Sequence, residues 1–197
     1  MTASASIPRC VAFDGLRLIA AGPVPDAAAA AKRAIDSGDA TQVVVFDEVT
    51  SEVIEIDWRG SEDDVRVRIQ AALTGGASQS APDAPRGPGR PKLGVVAREV
   101  TLLPKHWEWL GSQPGGASVA LRKLVEAASR DHVDVDRKRR AQDAAYRFMT
   151  TMAGDLPGYE EALRAFFKGD AAAFKTQTTN WPKDVRDHAR ALASAAL

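Results

Sequence analysis

The chain has 197 residues, 45% of them hydrophobic, and its 26 Lys/Arg balance 26 Asp/Glu. That is enough apolar material for one or two packed domains, and it excludes a molecule that is polycationic throughout. A single cysteine, Cys10, excludes an internal disulfide and fits a reducing compartment. No apolar run approaches the ~20 residues that span a bilayer. The first eight residues lack the basic-then-apolar order of a secretory signal, so the expected location is cytoplasmic.

Residues 9–73 predict a small acidic α+β domain of order ββαββα, carrying 7 Lys/Arg against 12 Asp/Glu. Apolar stretches flank Asp14-Gly15, a dipeptide suited to the positive φ of a tight hairpin turn. Asp26 is placed to cap an alanine-rich helix through Ile35, with Gly38 beyond its end. Val43 to Phe46 is an unbroken β-branched and aromatic run, the pattern of a buried strand. Val53, Ile54 and Ile56 predict a further strand, and Ser61 with Asp64 predicts a capping box opening a helix to Leu73. The acidic balance of this part argues against phosphate binding by it.

Residues 74–96 are a Pro/Gly/Ala/Ser-rich linker, expected to be flexible, with 3 Lys/Arg against 1 Asp/Glu. Within it Pro88-Gly89-Arg90-Pro91-Lys92, with Arg86 upstream, resembles an AT-hook. The resemblance implies an extended Gly-Arg-Pro core lying in the narrow minor groove of A·T-rich DNA. Arg90 would enter the groove, whose negative potential attracts arginine, while Arg86 and Lys92 hold phosphates. The plain alternative is a basic, extended spacer.

Residues 97–130 predict a short strand, 98–103, followed by a helix opened by Pro104, a Gly115-Gly116 turn and a helix capped by Ser118. The second helix places Leu121, Leu124, Val125 and Ala128 at i, i+3, i+4 and i+7. Leu103-Pro104 and Ala120-Leu121-Arg122-Lys123-Leu124-Val125 resemble the ribbon-helix-helix repressors. That resemblance implies a homodimer whose paired strands enter the major groove of DNA, with Arg98 on phosphate or groove. The alternative is an edge strand with two core helices, because apolar strand residues normally pack.

Residues 131–197 predict a helical bundle. One helix places Ala141, Ala145, Phe148 and Met152 on one face, and another presents Tyr159, Leu163, Phe166 and Phe167. Asp170 caps a short helix carrying Phe174, and Pro182 starts a last one with Val185, Ala189 and Leu192 facing inward. Asp131, His132, Asp134 and Asp136 lack the glycine turn and bidentate glutamate of a calcium loop, so Asp136 is read as the cap of a helix beginning with Arg137-Lys138-Arg139-Arg140. That basic run is read as a solvated face. Trp107, Trp109 and Trp181 are candidates either for base stacking or for core.

His106, His132 and His188 lie far apart, each near a carboxylate, with His188 expected to pair with Asp184 or Asp187. No nucleophile elbow, phosphate loop or Cys-x-x-Cys motif is present. The expectation is a non-enzymatic protein with no metal and no cofactor.

Seven segments together resemble an uncharacterised family of bacterial proteins over nearly the full length. They include Ala12-Phe13-Asp14-Gly15, Gly89-Arg90-Pro91-Lys92-Leu93-Gly94-Val95-Val96, Trp107-Glu108-Trp109-Leu110 and Trp181-Pro182-Lys183-Asp184-Val185-Arg186. The resemblance implies no activity. The combined expectation is an α+β protein with an N-terminal ββαββα domain, a linker, and an α-helical C-terminal part preceded by one short strand. Its expected role is DNA association or regulation through Arg86, Arg90, Lys92 and Arg98. The alternatives are a protein-interaction scaffold and a small-molecule sensor.

Overall fold

The computed structural model describes residues 7–40, 42–75, 96 and 98–197. It is a mixed α+β structure that divides into two units, residues 1–79 with 137–197, and residues 80–136.

The first unit is built on a three-stranded antiparallel sheet of order β2-β1-β3, with β1 Arg9–Asp14, β2 Arg17–Pro23 and β3 Val43–Asp47. The β1–β2 turn is Gly15-Leu16, with Gly15 at φ 53°, so the tight turn lies one residue later than Asp14-Gly15. Glycine suits this site because an L side chain rarely adopts that φ. The Asp14 carboxylate accepts a 2.9 Å hydrogen bond from the Gln42 backbone N–H and so ties the start of β3 to the hairpin.

Both strands β1 and β3 are apolar on both parities, and both faces of the sheet are covered. Cys10, Ala12 and Val45 pack with α1 (Val24–Asp36), Ile54, Ile56 and Trp58, and with Ile69 of α2 (Glu62–Gly75). Val11, Phe13 and Phe46 point the other way into a core with Ala145, Phe148 and Met149 of α5 (Val133–Ala153). That core continues through Phe166 of α6 (Tyr159–Lys168) and Phe174 of α7 (Ala171–Gln177) to Val185 and Ala189 of α8 (Lys183–Ser194). Residues 9–73 and the C-terminal helices, distinct parts in the sequence reading, therefore share one core. The physical reason is that strands buried on two faces need two covering layers, and α1 with α2 covers one face.

Several local expectations are corrected. Val53 makes a single bridge to Phe46 rather than a strand, so the order is ββαβα. The Asp47 carboxylate accepts from the N–H groups of Val49 and Thr50, and Ser51 turns through φ 54°. The chain leaves the ladder after Ile54, whose N–H donates to the Val45 carbonyl at 2.8 Å, and Ile54 and Ile56 pack on the sheet. Asp26 lies in the first turn of α1, whose N-cap is Pro23. The capping box of α2 forms as expected: the Asp64 carboxylate accepts from Ser61 N–H at 2.8 Å, and Ser61 Oγ accepts from Asp64 N–H at 3.2 Å. Asp170 caps α7 through Ala173 N–H at 2.9 Å. Phe167, expected on the packed face, is exposed and pairs with Tyr146 at a ring separation of 5.7 Å.

The second unit contains α3 (Pro104–Ser112) and α4 (Gly116–Asp131). Residues 98–103 form no strand, and Leu103 is the extended N-cap of α3. The expected strand would need a partner strand, and none pairs with it among the described residues. Gly115, at φ 87°, caps α4 in place of Ser118. Leu110 and Ala120 are the buried hydrophobics among the described residues of this unit, while Val100, Leu103, Trp107, Trp109, Leu124 and Val125 are exposed.

Candidate functional site

The basic residues of the linker, Arg86, Arg90 and Lys92, lie outside the described residues, as does the Gly-Arg-Pro segment they belong to. Arg98 is described and exposed, in the stretch leading to α3. Trp107 and Trp109 on α3 are exposed, whereas Trp181 is core, donating from Nε1 to the Pro157 carbonyl at 3.1 Å. Asp134 and Asp136 lie in the first turn of α5, which begins at Val133, so Asp136 sits inside the helix rather than at its cap. His132 Nδ1 lies 2.8 Å from the Ala128 carbonyl. Among the described residues, no group of three or more His, Cys, Asp or Glu is placed to hold a metal.

The first unit holds a groove of about 600 Å³ between α5, α8 and the turn after β3. Helix α5 contributes Arg137, Arg140, Ala141 and Ala144, and α8 with its C-cap contributes His188, Ala191, Leu192 and Ala195. Both sets follow i, i+3, i+4, i+7 spacing, which gives each helix one continuous stripe toward the groove. Four of these eight positions are alanine, and the short side chains leave the space open. Glu48 and Val49 close one side, and Glu48 is held by an ion pair with Arg9.

His188 links this groove to the core. Its ring meets Phe148 at 4.5 Å and Phe13 at 5.8 Å, both edge-on, and Nε2 is buried without a hydrogen-bond partner. Burial lowers its pKa, and nearby Glu48 works weakly in the opposite direction. A charged imidazolium would be poorly solvated there, so the neutral ring is favoured. The expected pairing with Asp184 or Asp187 does not form. Asp184 accepts from Leu18 N–H at 3.0 Å, and Asp187 pairs with Arg186 and Lys183. Sequence proximity within α8 is overridden by packing against β1 and α5. Cys10 sits at full burial beneath α1, where burial pushes its thiol up to about 11, so it is a thiol and not a thiolate at neutral pH.

Sequence reasoning did not single out the groove. Its signal is the alanine at i, i+3 or i+4 beside arginine or histidine on two helices, and only the pairing of α5 with α8 gives that spacing meaning.

Fold and site define a mixed α+β protein with a sheet enclosed between helical layers and an amphipathic groove on one of them. None of its described helices is long and apolar enough to cross a membrane. The chain belongs to a family described as an uncharacterised protein conserved in bacteria (DUF2239), which matches residues 9–193. No curated protein and no solved structure matches it.

Proposed function

We propose that this is a non-enzymatic, DNA-associated regulatory protein that binds through Arg86, Arg90, Lys92 and Arg98, with the 98–130 segment completed by a second copy of the chain. The observation that carries the reading is the exposure of the α3–α4 pair. Val125 is 66% exposed and Leu103 56% exposed. A helical pair with so little buried apolar area gains little on folding by itself, and a partner surface supplies the missing burial. A second copy related by a two-fold axis would set the stripe Leu121, Leu124, Val125, Ala128 against its own counterpart and residues 98–103 against theirs.

Charge supports the same assignment. Residues 74–98 carry 4 Lys/Arg against 1 Asp/Glu, whereas residues 9–73 are acidic, so the sequence concentrates positive charge on the stretch that holds the four proposed contacts. The test is fluorescence anisotropy of the full chain with A·T-rich and G·C-rich duplexes. Arg90→Ala is expected to weaken A·T-rich binding more than G·C-rich binding, since the narrow groove rewards that arginine. Equal loss on both duplexes reduces Arg90 to a phosphate contact, and absence of binding at low salt rejects the proposal.

A further inference from the structure

We infer that the groove between α5 and α8 is a binding site for a small amphipathic carboxylate, its anionic head on Arg137 and Arg140 and its apolar body on the alanine floor. Its volume, about 600 Å³, is that of a site for a small organic molecule rather than for a folded partner.

The order of side chains along α5 sets the polarity of the ligand. Arg137 and Arg140 come first, then Ala141 and Ala144, so one helix face runs from cationic to apolar over about 10 Å. Helix α8 adds Ala191, Leu192 and Ala195 to the apolar part. Two guanidiniums, Arg137 and Arg140, border the groove, and the carboxylate bordering it, Glu48, is paired with Arg9. A guanidinium has five N–H donors in a planar fork, so each arginine can keep its present contacts and still meet a carboxylate. His188 closes the inner wall, its ring set edge-on against Phe13 and Phe148. This inference does not depend on DNA binding, and its test uses no DNA.

The experiment is methyl-detected NMR on the full chain, titrated with sodium octanoate and, separately, with 1-octanol. Octanoate is expected to shift the Ala141, Ala144 and Ala191 methyl signals saturably, and octanol to bind at least about tenfold more weakly because it lacks the charge-assisted hydrogen bonds. The double variant Arg137→Gln, Arg140→Gln should bring octanoate down to the octanol level. Ala191→Trp, at an exposed position where folding tolerates bulk, should fill the groove and abolish both. Four outcomes overturn the inference: no saturable shift with octanoate, equal affinity for the two probes, shifts confined to α3 and α4 methyls, or unchanged binding by a folded Ala191→Trp chain.

Discussion

Phe148→Ala tests whether the sheet and the C-terminal helices form one cooperative core. Phe148 is fully buried, with ring centroids 5.4 Å from both Phe13 and Phe46. Removing a buried phenyl ring costs roughly 3–5 kcal/mol through lost transfer energy and the cavity left behind. Lost edge-on aromatic contacts, about 0.5–1.5 kcal/mol each, place the effect toward the upper end of that range. A loss of about 4 kcal/mol is a large share of the ~5–15 kcal/mol that stabilises a typical domain. With a urea slope of about 2 kcal/mol per molar, the unfolding midpoint should fall by about 2 M. Amide hydrogen exchange locates the damage. Protection should drop together in β1, β3 and α8, because Val11, Phe13, Phe46 and Val185 share the core that Phe148 fills. If β1 and β3 keep wild-type protection while only α5–α8 loosen, residues 9–73 fold independently and the joint core is refuted.

His188 should make stability pH-dependent. Its folded-state pKa is lowered by burial from 6.5, so on acidification the unfolded chain takes up the proton first. Stability is full above about pH 6.5 and declines as pH falls toward the folded-state pKa. His188→Leu should flatten urea midpoints measured between about pH 7 and 5.5, and an unchanged slope would contradict the assignment. Val125→Arg should convert a dimer seen by sedimentation at micromolar concentration into a monomer. A wild-type chain that is monomeric under those conditions removes the second copy from the account.

What could be read from the sequence follows from how local each feature is. The Ser61/Asp64 and Asp170 caps depend on neighbours three residues away and were legible. The buried character of Val43 to Phe46 was legible too, because burial on both faces leaves no polar parity in the strand. What covers the second face was not, since Phe13 and Phe148 meet across more than half the chain. Val53 and Ile54 carry a strand pattern, yet the Asp47 turn and Ser51 direct them away after one bridge. His188 looked paired because carboxylates flank it on α8, but packing aims its ring at two phenylalanines instead. The groove escaped notice because alanine spacing becomes a cavity only once α5 and α8 are neighbours.

The most direct test of the DNA assignment is the slope of log Kd against log salt for the full chain on an A·T-rich duplex. Eight cations per dimer, Arg86, Arg90, Lys92 and Arg98 of each chain, predict a slope of about 7.2, so that doubling the salt weakens binding by roughly 150-fold. Arg98→Ala removes one contact from each chain and should lower the slope by about 1.8. Binding that is insensitive to salt, or a slope unchanged when all four residues are replaced by alanine, would contradict the account.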